Sequence, residues 1–552
     1  MKNLLTLLAL VFLFACQVKN TQPLGKASIL VTDTVINEDF GGLGFHEISA
    51  GSKPTKWMFE QVFAKRWREL SPAFARVNDD ANWNRKELDE FCDYLKIMKD
   101  AETEMYFTSW SAGDIKKFKS EADYVKKEVD NLEYVIKEKG FDNLKYYCMT
   151  NELSIDYWAS LVKENKLDQF KRIHQLFYDE ISKRGLDIKL LATDASPFEY
   201  WHTLEWAAEN MDEITGIYGG HHYINAHDLF DPTFYKFFLG KMQWAAGLAK
   251  SKGKRFIMGE FGPKQSHSYF DSISYDAIIY NNTPAEPYVG IQVAEAVMAQ
   301  MNGGIYASGY WTFADMPTRH GSKYANKWGL FKWYFDDFTT RPNYYALGLL
   351  TKYFRGPAKI YKSIASDTLL RVSVLKNVKN NTWSIAVVSR TTMPQIVKIT
   401  YNGIPSGTEF RKFVYDPANV PFNYFGDLQP WSKKLTFSGS VMSDTLPAYS
   451  LVVYTSNFDE KPPAPVQGMT FSPEKSPPPD NRDRNMVRWQ ANTETDFCYY
   501  RIYRATTPEV EIKPINQIAS TIATEWRDTW TYGQPKYYYR VVAVDKSGNS
   551  SE

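Results

Sequence analysis

The stretch KYYCMTNELS runs from Lys145 to Ser154. It opens in strand-forming residues and ends on adjacent Asn151 and Glu152. Burying a strand to carry a carboxylate at its tip makes sense only if something else in the chain meets that carboxylate.

Eight stretches read as short strands: LGFHE (43–47), FARVND (74–79), EMYFTSW (104–110), LKYYCMT (144–150), IKLLATD (188–194), GIYGGHHY (216–223), RFIMGE (255–260) and ASGYWTF (307–313). Between and after them, apolar residues recur at helical spacing over 57–70, 86–100, 122–140, 168–185, 201–211, 232–253, 287–303 and 343–354. Gly140, Gly185, Gly253 and Gly303 stand where several of these helices end. Alternation of this kind over residues 36–356 predicts a (β/α)8 barrel, the TIM barrel.

In such a barrel chemistry sits at the C-terminal strand ends. The fourth strand ends in Asn151-Glu152 and the seventh, RFIMGEFGPK, in Glu260. Two carboxylates opening on one barrel mouth suit glycoside hydrolysis. One donates a proton to the leaving oxygen and the other attacks the anomeric carbon or activates water. Mutual repulsion and burial separate their pKa values and so their roles.

With an Asn-Glu pair after strand four and a Glu after strand seven, the chain resembles the clan of retaining glycoside hydrolases built on this barrel. That clan includes cellulase-like, xylosidase-like and arabinofuranosidase-like families. The resemblance implies Glu152 as acid/base, Glu260 as nucleophile, and Asn151 as partner of the sugar 2-hydroxyl. It matches Arg76 with the arginine that steadies the nucleophile. It matches His221 and Tyr223 with a His-x-Tyr pattern whose Tyr bonds the nucleophile, and Trp311 with the aromatic floor under the sugar. His46, Trp110 and Asp194 fall at rim positions suited to hydroxyls.

Other roles for these residues stand beside those. Arg76 has Asp79 and Asp80 nearby as structural partners, and HHY (221–223) would also fit a packed barrel layer. Strand alternation turns His222 away from His221 and Tyr223. No metal or other cofactor is expected, since the His pair has neither an HExxH frame nor a Cys partner.

The flanks carry different patterns. MKNLLTLLALVFLFAC has an early Lys2, then an apolar run too short to span a bilayer comfortably, then Cys16. Leu13 to Cys16 resembles a bacterial lipobox, which places a lipid on Cys16 and residues 1–20 in a signal and tether. Secretion without lipid is the alternative. The expected location is extracytoplasmic, on a bacterial membrane. Residues 357–458 read as a β-sandwich, to which a strand at 27–35 is a candidate addition. After the Pro-rich KPPAPVQG (461–468), residues 463–552 resemble a fibronectin type III module through Trp489, YYRIYRAT (499–506) and YYYRVVAVDKSGNSS (537–551). No exposed aromatic platform is evident there, so a spacer role is expected. The remaining Cys92, Cys148 and Cys498 read as buried small residues.

Composition excludes some partners. The 552 residues carry 65 basic and 64 acidic side chains, a net charge of +1, so neither nucleic acid nor an anionic surface is expected as main partner. Aromatics at 16% suit a cleft that stacks sugar rings. The reading is a multidomain hydrolase that cleaves β-glycosidic bonds in a poly- or oligosaccharide by double displacement. The alternatives are a transglycosylase and a non-catalytic carbohydrate-binding lipoprotein on the same scaffold. Sugar, linkage and oligomeric state stay open. The loops at 263–286 and 316–329, with Arg319, His320 and Lys323, are the expected specificity elements.

Overall fold

The computed structural model describes residues 24–46, 54–109, 115–154, 158–225, 231, 233–264, 287–317, 325–326, 328–333, 337–475, 483–528 and 536–551. Cys16, Trp110, Arg319, His320, Lys323 and nearly all of the 263–286 loop lie outside the described residues.

Eight strands carry the central body: β1 (Gly25–His46), β2 (Phe74–Asp79), β3 (Glu104–Ser109), β4 (Leu144–Cys148), β5 (Lys189–Ala195), β6 (Ile217–Asn225), β7 (Phe256–Lys264) and β8 (Ala307–Tyr310). Each pairs in parallel with the next. β8 then pairs in parallel with β1, from Gly42↔Ala307 to Phe45↔Tyr310, so the ring closes on itself. Closure explains why these strands read as near-continuous apolar runs: one face fills the ring and the other meets helices. Every residue of β2 is buried.

The helices follow from their patterns. Arg85–Asp100 starts at Asn84, which accepts from Glu87 N at 3.2 Å while Glu87 Oε2 accepts from Asn84 N at 2.9 Å. This reciprocal cap satisfies two donors that a helix start leaves orphaned. Leu88, Phe91, Cys92, Leu95 and Met98 then form its buried stripe. Gly140, Gly185 and Gly253 take the expected left-handed turn, with φ of +74°, +61° and +67°. After Pro287–Asn302 the turn falls on Gly304 instead (φ +91°). Gly303 serves a different need, because a Cβ there would lie 2.3 Å from Met242 Cβ on the neighbouring helix.

β1 departs from expectation. The stretches read as separate strands at 27–35 and 43–47 are one strand. Its first residues pair in parallel with Gln395–Thr400, its middle runs antiparallel to Arg355–Ala365, and its end joins the ring. Register shifts at four points along the Arg355–Ala365 pairing break the alternation that would have made its continuity legible. The second body thus completes its sheets with the same strand, around a core that includes Ile29, Val31, Val372, Ile385, Val397 and Val452.

The third body has two three-stranded sheets. One joins Thr470–Lys475, Asp483–Arg488 and Glu525–Asp528, and the other Gln517–Thr521, Phe497–Ala505 and Tyr538–Asp545. Val487, Trp489, Tyr500, Ile502 and Val541 pack between them. The Pro-rich connection does not leave this body loose. Asp427 bridges Lys65 of the first body and Arg501 of the third, the latter at 2.8 Å. The two cations hold the Asp427 carboxyl well below its usual range against the opposing effect of burial. Removing one partner of such a buried cluster costs about 3–5 kcal/mol, because the charges left behind are uncompensated.

Candidate active site

Glu152 and Glu260 meet. They come from the turn after β4 and from β7, and a carboxylate oxygen of each, with a nitrogen of His221, all lie within 4.8 Å of one another. Glu260 is buried, whereas the Glu152 side chain keeps 15% of its surface open.

Arg76 on β2 organises the floor. One nitrogen, Nη1, donates to Glu260 Oε1 and contacts His46 Nδ1 at 3.0 Å. Nη2 donates to Asn151 Oδ1 (2.8 Å), Asp194 Oδ2 (2.9 Å) and Thr108 Oγ1 (3.2 Å). The planar guanidinium suits this because its donors diverge in a fixed fork. Arg76 therefore pairs with neither Asp79 nor Asp80 in this network. Tyr223 donates to the other oxygen of Glu260 at 2.5 Å.

His221 joins the two halves. Its Nδ1 lies 3.1 Å from Glu152 Oε1 and 3.7 Å from Glu260 Oε2, and its Nε2 forms an ion pair with Asp194 Oδ1 at 2.7 Å. Burial disfavours the charged ring, but Asp194 and Glu260 outweigh it and raise His221 to about 9. Burial pushes Glu152 up, yet the hydrogen bond and charge of His221 win and hold it below its ordinary value. Glu260 is pushed up, by burial first and then by the charge of Glu152, against Arg76, His221 and Tyr223.

Asp194, expected at the rim, is instead fully buried and engaged by Arg76 and His221. His222 does face the other way, stacked on Phe198 with ring centres 3.5 Å apart. His46 is buried with its ring 4.3 Å from that of Trp311. Burial, Arg76 and His221 keep His46 neutral. It accepts from Arg76 on Nδ1, so its proton sits on Nε2, which has no partner among the described residues.

Glu152 and Asp194 both hold left-handed φ, +54° and +60°. Such backbone costs a non-glycine residue about 1–3 kcal/mol, so the hydrogen bonds around each must hold it there. The approach of β7 is equally tight. A Cβ on Gly259 would lie 2.8 Å from His221 Nε2 and 2.9 Å from Asp194 Oδ1.

One neighbour escaped the sequence reading and one fell within an expected specificity loop. Asn78 lies two residues beyond Arg76 on the same face of β2, buried, with no partner for Oδ1 among the described residues. The strand alternation that singled out Tyr223 would have found it. Trp328 packs against Tyr223 with ring centres 5.7 Å apart. It comes from the loop 316–329 after β8, one of the two expected specificity elements.

Glu152, His221 and Glu260 also offer the donor set of a cation site. Arg76 and the protonated His221 already supply the positive charge there, so a metal ion would meet repulsion and occupied oxygens.

No family model matches the chain, and no curated protein matches it. Solved structures do. A bacterial orthologue of human α-L-iduronidase superposes over 96% of this chain and 99% of its own, at 14% identity and a TM-score of 0.57. A glycoside hydrolase family 30 subfamily 8 xylanase from Clostridium acetobutylicum covers 78% of this chain and 99% of its own, at 14% identity and a TM-score of 0.52. An α-L-arabinofuranosidase from Thermotoga maritima covers 78% and 99%, at 13% identity and a TM-score of 0.54. At these identities the likeness is one of fold: the chain is built on the same multidomain, sheet-rich architecture as these glycoside hydrolases.

Proposed function

We propose that the chain is a retaining glycoside hydrolase on a (β/α)8 barrel, with a β-sandwich and a fibronectin type III module appended. Glu152 is the acid/base and Glu260 the nucleophile. The observation that carries this reading is the close approach of the two carboxylates, within 4.8 Å oxygen to oxygen. Retaining enzymes hold theirs about 5–5.5 Å apart, and inverting enzymes leave about 6.5–9.5 Å for a water. Neighbours named as xylanase, iduronidase and arabinofuranosidase support a carbohydrate substrate.

In the first step Glu260 attacks the anomeric carbon as the glycosidic C–O bond breaks, and Glu152 gives its proton to the departing oxygen. In the second, Glu152 takes a proton from water, the water attacks the glycosyl-enzyme, and Glu260 leaves. Arg76 and Tyr223 hold Glu260 in line for both. In the open site the charge and hydrogen bond of His221 hold Glu152 below its ordinary value, the opposite of what an acid needs. Substrate reverses this. Covering the exposed part of Glu152 removes its water, which favours the neutral acid. A proton then passes from His221 Nδ1 to Glu152 Oε1 across 3.1 Å. Glu260 stays an anion throughout, held by Arg76 and Tyr223.

His46 Nε2 and Asn78 Oδ1, both without partners among the described residues, supply hydroxyl contacts, and Asn151 faces the 2-hydroxyl. Asp194 is a positioning residue for Arg76 and His221. From the Cys16 motif we place the protein outside the cytoplasm on a lipid anchor, which radiolabelled palmitate incorporation into wild type but not Cys16→Ala would support.

The test is reducing-end release from plant, algal and host glycans and from activated aryl glycosides. Glu260→Gln abolishes release. Glu152→Ala keeps slow turnover of the activated glycosides, restored by azide. The first product anomer, read by NMR, keeps the configuration of the substrate. Inversion would overturn the mechanism. Glycan retention without release by the wild type would favour a binding protein.

A further inference from the structure

Where the three bodies meet lies a cavity of about 310 Å³. Its walls come from the ends of helices Ala64–Leu70 and Pro342–Tyr353, from the segment 423–431, and from the third body. The volume is at the lower end of ligand pockets, about 300–1,000 Å³, which favour such junctions.

The lining has a definite chemistry. Trp431 keeps 41% of its surface open, although the Arg411 guanidinium sits over its ring at 5.2 Å. Phe422 and Tyr424, earlier on the same irregular segment but outside the lining, are 63% and 68% exposed. The polar lining includes the amides of Asn423, Gln429 and Gln517 and the Ser547 hydroxyl. Gln429 is buried, and its Oε1 has no partner among the described residues.

The charges in the lining are already answered. Lys352 pairs with Glu69 at 3.5 Å, Arg501 with Asp427 at 2.8 Å, and Lys513 with Glu511 at 2.6 Å. A charged ligand would have to break one of these pairs. A neutral ligand rich in hydroxyls would not, and its apolar ring face suits an open indole.

We propose that this junction is an accessory binding groove for a neutral oligosaccharide stretch, separate from the catalytic mouth, with Trp431 as its platform. The proposal rests on the reading of the chain as carbohydrate-active. The groove gives the third body a role beyond spacing, because its docking completes the walls.

The test uses native affinity gels containing arabinoxylan, linear arabinan, mixed-linkage β-glucan or polygalacturonate. The full chain carries Glu260→Gln so that the polymer survives the run. At least one neutral polymer retards this variant. Adding Trp431→Ala weakens that retardation about tenfold, and Trp431→Phe restores part of it. In the otherwise wild-type chain, Trp431→Ala leaves the melting temperature and aryl-glycoside turnover unchanged. Equal retardation with and without Trp431, retardation by polygalacturonate alone, or none by any neutral polymer would each overturn the groove. Failure of the hydrolase reading looks different: the wild type releases no reducing ends, while the gels still decide the groove.

Discussion

Asp194 Oδ1 and His221 Nε2 lie 2.7 Å apart, and neither side chain has any exposed surface. This pair holds a proton inside the protein where burial alone would expel it. Glu152 takes its charge state from that proton.

The pair makes stability depend on pH. Histidine ordinarily titrates near 6.5, and His221 in the fold near 9. The folded protein keeps a proton that the unfolded chain releases across this window. The contribution is complete below about 6.5 and is lost as pH rises through 9. The melting temperature of the wild type is expected to fall between those values. His221→Gln flattens that slope, as thermal melts across pH 6–10 would record.

Gly259 has no room for a side chain. In Gly259→Ala the new methyl presses between His221 and Asp194, whose positions are set from four strands. Turnover is expected to fall about 100-fold, the effect of moving catalytic groups by about 1 Å. Circular dichroism should remain that of the wild type. Unchanged turnover would show that His221 does not govern Glu152.

Tyr223→Phe removes one donor from Glu260 and leaves the ring against Trp328. A hydrogen bond to a charged group contributes about 1.5–3 kcal/mol, so kcat/KM is expected to drop about 10- to 100-fold. Stability should change little. Steady-state kinetics beside urea melts separates the two.

Asn78→Ala should do the opposite of an ordinary core truncation. The amide oxygen has no partner among the described residues, so its removal costs no stability and raises the melting temperature slightly. Substrate binding suffers, with KM rising about tenfold if the lost hydroxyl contact is of ordinary strength. A loss of stability without a change in KM would reassign Asn78 to the core.

Asp427→Ala leaves Lys65 and Arg501 facing each other without their anion. Unfolding free energy from urea titration is expected to fall by about 3–5 kcal/mol. A change within about 0.5 kcal/mol would mean that the third body docks by other contacts.

Much of this was legible in the sequence for a physical reason. Helical and strand periodicities are local, so each of the eight helical stretches reappears within a few residues of its expected ends. Glu152 and Glu260 were legible because strand ends share one mouth. Asp194 was misread because its partners, Arg76 and His221, come from strands whose relative depth no periodicity reports. The ion cluster at Asp427 was invisible for a similar reason. Lys65, Asp427 and Arg501 look like surface charges until three distant segments converge. Trp431 stands in an irregular loop, where spacing says nothing about exposure.

The shared strand β1 sets where this chain can be cut. An end placed after Gly356 would strip Gly25–Phe40 of its partner strands and leave a tongue of bare amides, an edge that invites pairing with other molecules. Truncation, recombination and inheritance must therefore carry the first two bodies as one piece. The natural seam lies later, in the Pro-rich residues 461–468.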